Sequence, residues 1–547
     1  MNVAANKSMT RPNFLFFMVD QMRADHLGCY GNKHVRTPNI DAIAARGYRF
    51  DRCYVASPVC QPNRNTIMTG RMPSLHGTQQ NGIPLDLDAV CYTHRLRAAG
   101  YRTGLFGKAH FQNFTGSESR FKLQYPPGLE PPPDVLREPS RGLRVGPGYD
   151  RELNFDHSPD PRLDEAAGDF YGFERFRVCT WHGDAVRGHY SRWLDQKLAG
   201  AELLRSAVSP RPAPGYDAPQ VHWSRIPEEL YPTNYIADQA IGCLEDWSRS
   251  PDGAPFFMQC SFTDPHHPFT PPGRYFHMVD PGSIDLPESF YRRPDDPPPM
   301  LARLHDELAR GTRRLEDWVA PYAVTESEAR QTIATTYGMI NMIDDAVGRV
   351  MQRLNELGLA DNTIVVMTSD HGDWMADHGI MLKGPLHYQG LIRVPLIWSD
   401  PCLMEAAVPG GRRVDALASS VDLAGSFLVR AGLAPGHGMQ GQDLGLCMRA
   451  GAASGHDCVL IEHQTSRPFP GISRRLRVRT MTDGDWRLSI WDGLSFGELY
   501  DLRNDPGEIV NRWNDPAWRA VRSDLSARML AKMIDLQDRA PFPVAEA

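Results

Sequence analysis

This 547-residue sequence predicts an α/β fold: a doubly wound, mostly parallel sheet flanked by helices, with a smaller C-terminal antiparallel sheet. Three near-continuous apolar runs, residues 14–19, 256–262 and 363–369, have the length and composition of strands buried on both faces. Amphipathic helical segments separate them, as parallel strands joined by crossovers require. From about residue 454 the pattern changes to short alternating strands with hairpin signals. The α/β portion is expected over residues 11–440, with 441–547 as a small antiparallel sheet plus helix.

Composition narrows the function. With 41% hydrophobic and 23% charged residues the chain can bury a large core. Its net charge of -7, from 66 acidic and 59 basic side chains, argues against a nucleic-acid binder. An anionic substrate must therefore be drawn by a local site. Ten cysteines lie scattered without CxxC pairs, as reduced thiols do. No apolar run approaches the ~18 residues of a membrane span, and residues 1–8 lack a signal-peptide core. A cytoplasmic protein without membrane contact is expected.

The first strand, 14–19, ends in Asp20-Gln21, where open α/β sheets gather ligands; a turn or helix cap is the other reading of an acid there. Thr37-Pro38 predicts a helix start capped by the Thr37 hydroxyl and stopped at Gly47, with Ile40, Ile43 and Ala44 inward. The chain is organised around residues 57–71, where Cys60, Pro62 and Arg64 stand just ahead of a helix predicted over 65–69 and closed by Gly70. A nucleophile there would sit at the positive end of a helix dipole beside a guanidinium, whereas a buried apolar thiol is the plainer alternative. Asn81, before Gly82, is an oxyanion donor or a turn residue. A glycine-punctuated strand then delivers Lys108 and His110, which alternation would set on one face. Residues 113–231 show no sustained period and are expected to form a lid or an oligomerisation arm.

Regularity resumes with Ile236, Ala240, Leu244 and Trp247 on one helical face. Strand 256–262 then runs into Asp264-Pro265-His266-His267-Pro268, whose prolines present the histidines on a loop. A long helix is predicted over 326–357 and a buried strand over 363–369, which ends in Asp370-His371-Gly372-Asp373; Lys383 follows, either a site cation or a solvated lysine. A strand at 394–398 and a helix at 421–429 complete the larger portion. Short strands at 458–461, 476–480 and 486–490, a turn at Asp483-Gly484 and a helix over 523–537 make the smaller one. Three strand ends thus point their acids and histidines to one rim.

Cys60-Gln61-Pro62-Asn63-Arg64 resembles the cysteine-x-proline-x-arginine pattern of the sulfatases, a branch of the alkaline phosphatase superfamily. Gly107-Lys108-Ala109-His110, Pro265-His266-His267-Pro268, Lys383-Gly384 and the 498–511 segment resemble further signatures of that family in the same order. The resemblance implies an alkaline-phosphatase-like fold and a sulfuric ester hydrolase. Its nucleophile would be formylglycine, made from Cys60 by a formylglycine-generating enzyme, and it would act through a covalent hemiacetal sulfate. It further implies one divalent cation held by Asp20, Gln21, Cys60, Asp370 and His371, calcium or manganese. Arg64 and Lys108 would hold the aldehyde hydrate; Asn81, His266 and Lys383 would contact the ester, with His266 or Lys383 protonating the alcohol. His110 would release the product. The Asp20-Gln21 and Asp370-His371 pairs look more like the choline sulfatase and phosphonate monoester hydrolase branch, whereas Lys108-x-His110 looks more like sulfatases. The expected substrate is a small-molecule sulfate ester, aryl sulfates first. The alternative is a phosphonate monoester or phosphodiester on the same site. A homo-oligomer is expected, and aromatic or basic residues of the 113–231 segment and the tail at 541–547 are the candidates to close over the alcohol.

Overall fold

The computed structural model describes residues 11–116, 128, 144–146, 148–157, 160–166, 168–206, 213–294, 296–403, 408, 411–450, 454–469, 472 and 474–536. The tail at 541–547 and much of the stretch between 117 and 143 lie outside the described residues. A nine-stranded sheet forms the centre. In chain order its strands are β1 (Asn13–Val19), β2 (Tyr48–Phe50), β3 (Arg102–Lys108), β4 (Arg175–Thr180), β5 (Arg187–Gly188), β6 (Phe256–Phe262), β7 (Thr363–Ser369), β8 (Leu396–Ser399) and β9 (Arg412–Val414). In space they run β9-β2-β8-β7-β1-β6-β3-β4-β5. The central five, β7-β1-β6-β3-β4, are mutually parallel. The strand expected at 394–398 is β8, and it pairs antiparallel to both neighbours.

Burial on both faces explains the apolar runs. Phe14, Phe16 and Met18 enter one core with Phe257, Tyr92 and Phe427, while Leu15, Phe17 and Val19 enter the other with Ile340, Ile343 and Ala240. The first core is roofed by α2 (Cys60–Thr69) and α5 (Asp422–Arg430). The second is covered by α1 (Pro38–Ala45), α3 (Pro232–Ser248) and the 31-residue α4 (Glu326–Glu356). The helix stop at Gly70 holds, with φ at 64°. The Thr37 cap does not: its hydroxyl donates to Asp41, and the exposed amides of Asn39 and Ile40 instead donate to Asp344 on α4 at 3.2 and 2.8 Å. A carboxylate from a neighbouring helix satisfies the orphan donors that the local hydroxyl was expected to take.

The loose stretch at 113–231 is not all lid or arm. Its β4 and β5 extend the central sheet beyond β3, because Phe176, Val178 and Cys179 are buried between neighbouring elements. A four-stranded antiparallel sheet, β10 (Val459–Gln464), β11 (Arg477–Thr482), β12 (Trp486–Trp491) and β13 (Gly497–Asp501), follows near the C-terminus. Helix α6 (Arg519–Leu536) covers it through Leu525 and Met529 against Met481, Leu488 and Leu499. Arg487 lies buried between Glu498, at 2.8 Å, and Glu508. Glu508 also accepts the Gln389 amide at 2.7 Å, which ties the small sheet to the segment that follows Lys383.

Candidate active site

All five parallel strands deliver side chains at their carboxyl ends, and the register keeps those ends level. Val19 pairs with both Phe262 and Ser369, and Lys108 with Cys179. Asp20 therefore follows β1, Asp370 and His371 follow β7, His266 and His267 follow β6, Lys108 closes β3, and His182 follows β4. Helix α2 points its N-terminus into this rim. It starts at Cys60 itself, five residues before the expected start, so the sulfur belongs to the first turn.

Cys60 Sγ is enclosed, 3.0 Å from His371 Nε2, 3.2 Å from Lys383 Nζ and 3.7 Å from Asp20 Oδ1. Burial and Asp20 disfavour the thiolate, yet the positive charges of Lys108, Lys383 and His371 bring the Cys60 pKa below the ordinary thiol value. Burial drives Cys53, Cys91, Cys179 and Cys260 the other way. Cys60 is thus set apart electrostatically, as a reactive position is and a packing cysteine is not.

Arg64 is the fixed frame. Its Nε donates to Asp370 Oδ2 at 2.7 Å, and its Nη1 donates to Lys108 O and Ser261 Oγ, each at 2.9 Å. Lys108 Nζ pairs with Asp20 and lies 2.7 Å from His182 Nε2. Asp20 is buried, which opposes its charge, but Lys108, His266 and Arg64 hold its pKa well below the usual carboxylate range. Lys383 Nζ reaches Gln21 Oε1 at 3.1 Å, His371 Nε2 at 3.1 Å and His266 Nε2 at 2.8 Å. A tetrahedral anion beside Sγ would meet this ammonium and imidazole together.

Asp20, Cys60, Asp370 and His371 each place one ligand atom within 4.8 Å of the others, a set that would suit a hard divalent ion once an oxygen replaces the soft Cys60 sulfur. His371 Nδ1 donates to Gly372 O at 2.8 Å, which directs Nε2 at the cluster; a metal there would take the lone pair that Nε2 offers once its proton is lost. Gln21 is oriented likewise: its Nε2 donates to Asp373 Oδ2 at 2.6 Å, so Oε1 turns inward. Asp20, His182 and His266 also converge, but the Lys108 ammonium sits against Asp20 and His182, so a lysine serves that position.

Two expected residues differ in setting. His110 lies beyond the end of β3 with φ at 55°, so strand alternation does not place it beside Lys108. Its ring packs on Phe114 at 4.4 Å, and burial together with Lys108 and Arg64 lowers its pKa well below normal. Asn81 Oδ1 accepts the Gln61 amide at 3.2 Å, which makes it a partner of the first turn of α2. Three further residues of the cluster went unassigned: His182, Asp373 and His267, whose Nδ1 lies 3.1 Å from the Gln21 amide. Asp373 and His267 stood in plain sight beside the expected ligands, whereas His182 carries no motif of its own.

The model of the family described as Sulfatase matches residues 12–433. The chain belongs to the sulfatase family. It is accordingly a sulfuric ester hydrolase on an alkaline-phosphatase-like fold. A second model, described as N-sulphoglucosamine sulphohydrolase, C-terminal, matches residues 376–535. Among relatives, an arylsulfatase of Clostridium perfringens is 28% identical over 538 residues, covering 96% of this chain and 95% of that protein. A multifunctional alkaline phosphatase superfamily protein, PehA of Trinickia caryophylli, is 26% identical over 557 residues, covering 97% of each. Among solved structures, the phosphonate monoester hydrolase of Agrobacterium radiobacter has a TM-score of 0.72 at 25% identity, covering 96% of each chain. This sulfatase thus has relatives named for both ester chemistries.

Proposed function

We propose that this sulfatase hydrolyses sulfate monoesters, aryl sulfates first, with a nucleophile made from Cys60. The observation that carries this reading is the position of Cys60 Sγ, in the first turn of α2 and within 3.2 Å of both His371 Nε2 and Lys383 Nζ. Matured to formylglycine, residue 60 would offer a hydrate oxygen as the attacking group. A divalent ion, calcium or manganese, held by Asp20, Gln21, residue 60, Asp370 and His371 would supply charge neutralisation at the ester and at the nucleophile.

The chain's own groups do the rest. Arg64 fixes Asp370 and the end of β3 in one frame, and Lys108 holds Asp20 through Oδ2, which leaves Oδ1 facing residue 60. Lys383 binds the ester oxygens and hands a proton to the departing alcohol oxygen, directly or through His266. The His266 Nδ1 proton is donated to His267 O at 2.7 Å, which leaves Nε2 to accept from Lys383 and to donate to the ester only once it has taken a proton. His110, kept neutral by burial and by its cationic neighbours, is the base that frees the product.

The test is the mass of the Cys60 peptide from protein made with a formylglycine-generating enzyme, alongside turnover of 4-nitrophenyl sulfate. Oxidation to the aldehyde lowers the mass by about 18 daltons. Activity that scales with conversion supports the reading; full activity with an unmodified thiol sinks it. A second reading, phosphonate monoester hydrolysis, is favoured by the 0.72 TM-score to the Agrobacterium radiobacter enzyme. A higher kcat/KM for an aryl phosphonate monoester than for the matched aryl sulfate would establish it.

A further inference from the structure

A continuous series of aromatic rings runs from the inner histidines to the surface. His267 stacks on His266 with ring centroids 4.0 Å apart, and His266 on His182 at 3.5 Å. His182 meets Phe114 edge-on at 6.2 Å, and Phe114 meets Trp181 at 6.2 Å. The Lys108 ammonium lies 5.9 Å from the Phe114 ring centroid, so the series runs beside the reacting centre for its whole inner half. The outermost ring is the exposed one: His266 is 3% exposed, the His182 side chain 16%, Phe114 6% and Trp181 36%.

Trp181 also stands at φ 63°, a region costly for a bulky L-residue, and only one residue ahead of His182. A positive φ at a tryptophan is backbone strain that the surrounding structure must hold in place, here with the ring left partly in water. Such strain clusters where a ligand is gripped. The anion of the ester is confined at the inner end by Lys383, His266 and α2, so its alcohol portion must extend toward solvent. The aromatic series is a route out that begins at His266.

We infer that Phe114 and Trp181 form the wall on which the alcohol portion of the ester packs. The wall selects alcohols that present a flat apolar face, a phenol ring or the C–H face of a pyranose, over small alkyl groups. This rests on the reading that the inner cluster binds the ester's tetrahedral anion. Stacking on an indole also explains why the outermost position is a tryptophan, the aromatic with the largest face.

The test measures binding apart from turnover, by calorimetry on full-length protein carrying Cys60→Ala. Its ligands are 4-nitrophenyl sulfate, glucose 6-sulfate and inorganic sulfate. Adding Trp181→Ala should weaken one or both organic esters about tenfold and leave inorganic sulfate unchanged. Trp181→Phe should restore most of the loss. Which ester responds identifies the face, aryl or sugar. Equal weakening of inorganic sulfate would make Trp181 merely structural, and unchanged or absent binding of both esters would overturn the wall. Turnover by the otherwise native enzyme separates this from the functional reading. Esters bound through Trp181 but never hydrolysed refute the proposed substrate and keep the wall; esters hydrolysed without dependence on Trp181 do the reverse.

Discussion

Replacing Gly107 by alanine tests whether the level strand ends are what position the chemistry. Gly107 has φ at 107° and pairs with Ser261 between β3 and β6. A Cβ there would lie 2.8 Å from the Ser261 carbonyl carbon and nearer still to its oxygen, where 3.4 Å begins ordinary contact. The strands must therefore separate by at least about 0.6 Å, the difference between those two distances. Overpacking and a positive φ each cost about 1–3 kcal/mol, so a loss of roughly 2–6 kcal/mol in unfolding free energy is expected. The activity loss should exceed what stability explains. Arg64 Nη1 bridges Lys108 O and Ser261 Oγ, the two sides of the joint that is forced open. Misplacing catalytic groups by an ångström costs about a hundredfold. Denaturant titration and kcat for 4-nitrophenyl sulfate measure the two effects. Gly358→Ala is the control, because φ there is 68° but an added Cβ meets nothing within 4 Å. Wild-type turnover in Gly107→Ala, or an equal activity loss in Gly358→Ala, would refute the reasoning.

Asp373→Ala frees the Gln21 amide to turn, so metal affinity by chelator competition should fall about 10–100-fold, while Asp373→Asn keeps an acceptor and loses less. Arg487→Met leaves Glu498 and Glu508 buried without their cation; a loss of about 3–5 kcal/mol is expected by denaturant unfolding, and a cost under about 1 kcal/mol would contradict it. Burial, with the Asp184 and Asp20 charges nearby, raises the Asp264 pKa from 3.8 to about 7 although the Thr233 and Tyr231 hydroxyls oppose this. Because the folded state holds this proton more tightly, its stabilising effect is complete below pH 3.8 and is lost as pH rises through about 7, by about 4 kcal/mol in all. Asp264→Asn should therefore gain stability relative to wild type between pH 5 and pH 8, and a difference that does not change with pH counts against the assignment.

The centre of this fold was legible because strands buried on both faces have no freedom to hide. Runs such as 14–19 and 363–369 must be apolar throughout, and the residue after each must face the rim. Asp20, Asp370, His266 and Lys108 were found by that logic together with the family pattern. β4 escaped it because Arg175, Arg177 and Thr180 break its apolar run, and with it went His182. A lone histidine after an unrecognised strand gives no local signal. The cap on α1 was misassigned for a related reason. Thr37 is the right residue type, but Asp344, more than 300 positions away, outcompetes it once α4 packs alongside. The same-face placement of Lys108 and His110 did not hold, since alternation stops where β3 does. What a sequence displays poorly is any partner chosen by tertiary proximity.

The order of strands across the sheet carries a consequence for how this enzyme could change. The groups proposed to handle the anion sit at the ends of the central strands and in α2, with Lys383 on a loop beside them. Trp181 and His182 hang instead from β4, next to the sheet's margin, in a stretch whose outer partner β5 is two residues long. Trp181 is the exposed residue of that stretch, whereas Asp184 and Val186 just beyond it are fully buried and held by Ser206 and Arg205. New alcohol preferences are therefore accessible by altering the margin while the reacting apparatus is inherited intact. An engineer seeking a different substrate should begin with Trp181 and leave His182 to Val186 as they are.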